Sequence, residues 1–472
     1  MLFNSFAFAV FFILVTSLYF IIPYKYRWLL LLAASCYFYM AFIPYYILIL
    51  GGTIVIDYFA GILIEGAPRG AKRKLFLVMS LVANIGVLAV FKYYNFFMDN
   101  INSMSGASLP LLSIILPIGL SFHTFQAMSY TIEVYRGNFR AERHFGIYAL
   151  YVMFYPQLVA GPIERPQNIL PQLRKKNDLD YTRIAAGLKQ MLWGFFKKIV
   201  IADRLAVVVN SVYDSPGKFD GGSVLIATYF FAFQIYCDFS GYSDIAIGAA
   251  KVMGYDLMEN FRTPYVSRSI REFWERWHIS LSTWFRDYLY IPLGGNRVVK
   301  WRWYYNLFIV FIVSGFWHGA NWTFIVWGAL HGFYLVVSIL LGRKERKEND
   351  FSAKVVRCGR ILLTFHLVVF AWIFFRAKNM TEAMLIIKKL GNFFVSAGNH
   401  LKLLDAVKPA MLLVTLFLLL LFLFIDPFFD ALVKERKQPG SRLLNLGVYS
   451  LLLVVILLFG YFGKTDFIYF QF

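Results

Sequence analysis

Apolar runs approaching the thickness of a bilayer recur along the whole chain, near 5–22, 28–43, 46–64, 74–92, 110–132, 186–209, 224–252, 302–317, 321–341, 361–376, 409–427 and 444–462. In hydrocarbon every backbone N–H and C=O has to be satisfied within its own segment, and a helix needs about 20 apolar residues to span. The pattern predicts an all-α, polytopic membrane protein. The stretches 28–43, 302–317 and 361–376 are short enough to thin the bilayer or re-enter, so the expectation is about eleven transmembrane helices plus re-entrant and interfacial ones.

Composition excludes a soluble globule: 59% of the 472 residues are hydrophobic and only 16% are charged. The net charge of +20, from 47 Lys and Arg against 27 Asp and Glu, is concentrated in short loops between apolar runs. That is the positive-inside bias of a membrane protein, and no nucleic-acid partner is expected. Lys25 and Arg27, the 69–74 cluster, Arg136 to Arg143, Arg174 to Lys176, Arg343 to Lys347 and Lys434 to Lys437 are assigned to the cytoplasmic side, which places the N-terminus outside. The run Phe6 to Ile22 has neither a basic leader nor a small-residue cleavage site and is expected to stay as an anchor. Thr381 to Phe394 patterns as an amphipathic interfacial helix. Three cysteines, Cys36, Cys237 and Cys358, show neither a disulfide framework nor metal-ligand spacing, so no metal site is expected. With no linker or internal repeat, residues 1–472 are expected to form a single membrane domain.

Ionisable residues at membrane depth are costly and point to function. The sextet Trp317-His318-Gly319-Ala320-Asn321-Trp322 places an imidazole between two apolar stretches, which makes His318 the leading catalytic candidate. Residues 254–300 break the hydropathy pattern, being rich in Arg, Asp, Glu, Trp and Tyr with no run able to span. Within them Ile270, Trp274, Trp277, Leu281, Trp284 and Tyr288 recur at helical spacing, predicting one amphipathic helix with Glu272 and Arg276 paired on its other side. His278 lies beside this stripe and is the second candidate. Asp287, next to Arg286, is expected to be an ion-paired structural carboxylate, and Pro292 to Arg297 a turn.

Two further clusters interrupt apolar runs. Asp238 and Asp244 lie six residues apart in a spanning segment and need partners, either the arginines of the central block or water. Phe154 to Pro166 carries prolines and glycine where a simple helix would have none, and is expected to re-enter. His123, His144, His366 and His400 have no partner at catalytic spacing and are expected to be structural.

The strings Tyr155 to Ile163, Asp238 to Ile245, Phe273 to Asn296 and Trp317 to Trp322 together resemble the bacterial membrane-bound O-acyltransferase family, in its alginate O-acetylation branch rather than its D-alanyl branch. The resemblance covers most of 110–375 and implies a helical bundle around a tunnel holding the family histidine, which corresponds to His318. The family's second polar residue corresponds to His278, with Asp287 the alternative in the same window. His331 also matches a family histidine.

The chemistry implied is acyl transfer from cytoplasmic acetyl-CoA, with no bound cofactor, to a hydroxyl arriving from the other side. A thioester is already activated, so a base and an oxyanion-stabilising group suffice. His318 is expected to be the base and His278 to orient or support the oxyanion, with Asn321 a lesser donor. Arg286 and Arg297 are candidates for the donor's phosphates. No Ser or Cys has a recognisable nucleophile setting, which favours direct transfer. The branch implies an extracytoplasmic acetyltransferase partner, a polysaccharide acceptor and a bacterial plasma-membrane location among membrane lipids. A D-alanyl or lipid-directed acyltransferase of the same fold is the nearest rival reading, and a proton-coupled transporter using His318, Asp238 and Asp244 the more distant one.

Overall fold

The computed structural model describes residues 1–342, 351–393, 401–434, 442–463 and 467–468, and these contain helices and no strand. Six helices among them are long and apolar enough to cross a membrane: Tyr46–Gly66, Ala71–Ser105, Gly221–Met253, Trp322–Leu340, Lys354–Arg376 and Pro409–Pro427. Phe6–Ile21 and Leu446–Phe459 are shorter apolar helices. Helices also occupy the expected regions at Tyr24–Met40, Leu120–Arg136 and Lys300–His318. The run expected to be an interfacial helix is helical over Met380–Gly391, capped by Asn379. The basic residues 343–347 and 435–437, the end of the 381–394 run and His400 lie outside the described residues.

The chain divides into two compact units, residues 1–193 with 242–259, and residues 194–241 with 260–472. Helix Gly221–Met253 contributes its first part to the second unit and its last part to the first.

In the first unit, the apolar run at 110–132 is helical only from Leu120. Pro110 and Pro117 each lack the N–H a helix needs. Gly119 then adopts φ +75°, where an added Cβ would stand 2.7 Å from the carbonyl oxygen of Leu158. Helices Tyr46–Gly66, Ala71–Leu88 and Leu120–Arg136 pack around a buried polar cluster in which Asp57 accepts hydrogen bonds from Ser80 Oγ at 2.6 Å and Asn84 Nδ2 at 2.9 Å. The expected re-entrant segment is a broken one: helix Phe145–Met153 stops, a single turn Tyr155–Leu158 follows, and helix Pro166–Leu173 resumes. Glu164, fully buried in this break, braces it by accepting from Asn168 Nδ2 at 2.6 Å and from the Met258 N–H at 2.5 Å.

In the second unit two helices, Lys300–His318 and Trp322–Leu340, form an antiparallel hairpin joined by three residues. Their backbones meet directly. A Cβ on Gly315 would strike the carbonyl oxygen of Phe324, and one on Gly328 would strike that of Phe311. Close approach through small residues is how helices gain packing where lipid is as apolar as the side chains.

The stripe from Ile270 to Tyr288 is not one helix, contrary to the spacing. Ser269 Oγ accepts the Glu272 N–H at 3.1 Å and starts helix Ile270–Arg276, where Glu272 and Arg276 pair at 2.8 Å as expected. The chain then turns at Trp277 and His278, and helix Ile279–Phe285 begins afresh. His278 has φ +42°, a left-handed conformation that side chains with a Cβ rarely adopt and that no helix interior contains. Amphipathic spacing alone does not register such a break.

Candidate active site

The second unit gathers the three candidate histidines into an aromatic setting. His318 is the last residue of its helix, and the extended Gly319 that follows lies flush against the Phe324 ring, leaving no room for a Cβ. The imidazole of His318 meets Trp327 edge-on at 5.1 Å between centroids, Phe375 at 5.3 Å and Trp317 at 4.9 Å. On the facing helix His331 lies 5.0 Å from the same Trp327 and 5.0 Å from Trp274. Trp327 therefore separates His318 from His331, and Trp372 stacks on it at 5.7 Å.

Hydrogen bonding fixes which nitrogen of His331 carries its proton. Indole N–H is a donor only, so the 3.3 Å bond from Trp274 Nε1 makes His331 Nδ1 an acceptor. The neutral ring then has its proton on Nε2. That N–H and the Nε1–H of Trp327 are buried without a hydrogen-bonding partner, two donors in one cluster of rings. A buried donor without an acceptor costs about 1–3 kcal/mol.

His278 is fully buried and has the opposite setting. Its Nδ1 lies 3.0 Å from Asn260 Oδ1, and its ring packs against Phe239 at 4.6 Å, Phe261 at 6.4 Å and Trp317 at 6.4 Å. One indole, that of Trp317, thus stands against both His278 and His318. Burial pushes the His278 imidazole down to about 3, so the ring is neutral at physiological pH.

The remaining sequence candidates are placed differently. Asn321 is a helix cap: its Oδ1 accepts the Thr323 N–H at 3.0 Å, and its Nδ2 donates to the Lys378 carbonyl at 2.8 Å. Asp287 pairs with Arg286 at 2.7 Å near the surface, as expected of a structural carboxylate. Arg297 is exposed, in a turn formed by Gly294 at φ +105° and Gly295 at φ +57°. Among the described residues there is no group of His, Cys, Asp and Glu able to hold a metal ion.

The two intramembrane aspartates find partners that the sequence did not indicate. Asp238 is bound by Lys198 at 2.7 Å, and Lys198 also holds Asp203 at 2.8 Å, all three buried. In the first unit Asp244 accepts from Gln190 Nε2 at 3.1 Å, and Gln190 Oε1 accepts from Lys251 at 2.8 Å. Neither uses an arginine of the central block in these bonds. Lys198 lies in a π-helical stretch, Phe196–Ala202, which interrupts an otherwise α-helical run and is invisible to hydropathy. Asn260, which meets His278, lies in a turn-rich loop and carries no signal of its own in the sequence.

Residues 142–383 match the family model of MBOAT, the membrane-bound O-acyltransferase family. The chain is 39% identical to a peptidoglycan O-acetyltransferase of Helicobacter pylori, over 76% of this chain and 72% of that protein. It is 40% identical to a protein of Pseudomonas aeruginosa named probable alginate O-acetylase AlgI, over 80% of this chain and 72% of that one. Similarity to a teichoic acid D-alanyltransferase of Streptococcus thermophilus is lower, 29% over 56% of this chain and 69% of that protein.

Proposed function

The chain belongs to the membrane-bound O-acyltransferase family, and from that premise we propose that it passes an acetyl group from cytoplasmic acetyl-CoA across a bacterial plasma membrane for O-acetylation of an extracytoplasmic polysaccharide. It is an enzyme, an O-acyltransferase, and a multi-pass membrane protein. The observation that carries the choice of acyl group is the identity to two O-acetylating relatives at about the same level, against 29% for the D-alanyl relative. Those two relatives are named for different glycans, so the acceptor is proposed as a class, a hydroxyl-bearing polysaccharide, reached through an extracytoplasmic transferase partner.

In the proposed reaction an acceptor oxygen attacks the thioester carbonyl, its proton passes to a neutral imidazole, and the tetrahedral oxyanion collapses with release of CoA thiolate, which takes up a proton. Acetyl and proton bookkeeping close without a metal or a redox partner. The His318 and His278 pair carries the proton transfer and steadies the reacting groups, with His331 in support. A neutral imidazole suits this task because it accepts a proton without first having to lose one. The surface positions of Arg286 and Arg297 support a role in meeting the donor's phosphates, for which a planar guanidinium is well shaped.

Purified chain in lipid vesicles, given acetyl-CoA labelled in the acetyl group, tests the proposal. The expected result is release of CoA with transfer of label to a hydroxyl acceptor. Absence of acetyl transfer, together with turnover of a D-alanyl thioester, would assign the chain to D-alanyl chemistry instead.

A further inference from the structure

Three bonds converge on one atom beside His278. Asn260 Oδ1 accepts the Ser280 N–H at 3.3 Å and the Ser280 hydroxyl at 2.9 Å, and lies 3.0 Å from His278 Nδ1. A backbone N–H can only donate, so this amide atom is the oxygen, and the imidazole nitrogen facing it must donate as well. The proton of neutral His278 is therefore on Nδ1 and its lone pair on Nε2. The backbone reinforces the arrangement: the Ile279 N–H donates to the Asn260 carbonyl at 3.0 Å, and the Arg262 N–H donates to the Arg276 carbonyl at 2.9 Å. These two bonds clamp the loop at 260–262 against the turn that holds His278 at φ +42°. Backbone strain at a non-glycine residue persists where the surroundings over-determine it, and it gathers at functional sites.

We propose that Asn260 is a positioning residue which fixes the tautomer and direction of His278, so that His278 presents Nε2 to the reaction as a proton acceptor. This rests on the acyltransfer reading above and sharpens it. A ring locked in this tautomer receives a proton at Nε2 and has no N–H there to give an oxyanion, so oxyanion support falls to other donors. Phe239, Phe261 and Trp317, which pack against the ring, carry no charge. The amide oxygen is a polar group that holds the ring at Nδ1.

The test uses the full chain in lipid vesicles with acetyl-CoA. Asn260→Asp keeps an acceptor for all three donors but sets a carboxylate against the imidazole, which favours its charged form. The acid limb of the pH-rate profile should move to higher pH by about 1–3 units, the shift an adjacent opposite charge produces. Asn260→Ala should lower kcat roughly ten- to a hundredfold with the KM for acetyl-CoA unchanged, by analogy with losing a partner that orients a metal-bound histidine. Solid-state NMR of chain labelled at histidine ring nitrogens reads the tautomer without any turnover, the His278 signal being the one lost in His278→Gln. A protonated Nδ1 in the wild type, and mixed tautomers in Asn260→Ala, are expected.

A wild-type His278 protonated on Nε2, or an unshifted profile in Asn260→Asp, would overturn the proposal. Full activity in His278→Gln would instead overturn the role of His278 in the acyltransfer reading, whatever Asn260 does.

Discussion

Glu164 in the first unit and His278 in the second are both fully buried, ionisable and placed where a helix breaks, yet they are built to different ends. Glu164 commits both carboxyl oxygens to neighbours, one to Asn168 and one to the Met258 N–H, and so ties two stretches of the first unit together. His278 commits its Nδ1 to Asn260 and turns the rest of its ring among aromatic faces, at the expense of a strained backbone. Burial and irregular backbone are common to both. In the proposed reading Glu164 is a brace, whereas His278, its Nδ1 held by Asn260, is a reactive group.

The largest expected effect that would break this contrast lies at His318. His318→Ala should lower acetyl transfer by on the order of a thousandfold, within the range for removing a general acid–base group, while the protein still inserts and runs as a single folded species in detergent. His278→Ala should reduce the rate less completely and leave the amount of folded protein unchanged. Loss of folded protein in step with activity would class either residue with Glu164.

On the structural side, Lys198→Ala leaves Asp203 and Asp238 buried without their cation. It should destabilise the chain by about 3–5 kcal/mol, the scale for breaking a buried ion pair from one side. Glu164→Ala should cost about 1–3 kcal/mol, since two donors lose their acceptor. A drop in thermal unfolding temperature, with residual activity per folded molecule near normal, is the expected signature of both.

A finer contrast appears with pH, because the two groups pull stability in opposite directions. Burial pushes the Glu164 carboxyl up to about 7 from 4.5, against the hydrogen bonds from Asn168 and Met258 and the nearby Arg165 charge. Between those values the folded chain holds a proton that the unfolded chain releases, so this contribution is lost as pH rises from 4.5 to about 7. His278 is neutral when folded down to about 3, whereas its unfolded form takes a proton below 6.5. Its contribution is therefore lost as pH falls from 6.5. In the shared window the two slopes oppose each other. Glu164→Gln should make the protein lose stability more steeply on acidification, and His278→Gln should make it lose less. Parallel changes in both variants would show that the two groups do not differ in the way described.

The smallest effect is expected at the surface. Arg286 forms an exposed pair with Asp287, worth about 1 kcal/mol or less to stability. Arg286→Ala or Arg297→Ala should raise the KM for acetyl-CoA a few-fold more than it lowers kcat, since uniform binding is what is removed. The reverse pattern would exclude them from donor binding.

Much of this was legible in the sequence because hydropathy and period report burial directly. Most of the long apolar helices, the hairpin around Trp317 to Trp322, the Glu272–Arg276 pair and the turn at Gly294 and Gly295 follow from local pattern. The break at His278 was not legible, since it depends on Asn260 and Arg262, residues outside the apparent helix that bond to it only after folding. The partner of Asp238 was hidden for a similar reason. Lys198 is forty positions away in a π-helical stretch, and spacing within one segment says nothing about which helix faces it. The opposite tautomers of His278 and His331 likewise arise from an amide oxygen and an indole N–H brought to them by other segments.

The most direct test compares two purified variants, His318→Ala and Glu164→Ala, for label transfer from acetyl-CoA per folded molecule, with the folded fraction measured on the same samples by size-exclusion chromatography and thermal unfolding. His318→Ala is expected to be well folded with acetyl transfer lowered on the order of a thousandfold, and Glu164→Ala to be less stable but active in whatever fraction remains folded. A folded, active His318→Ala would contradict the acyltransfer reading at its centre.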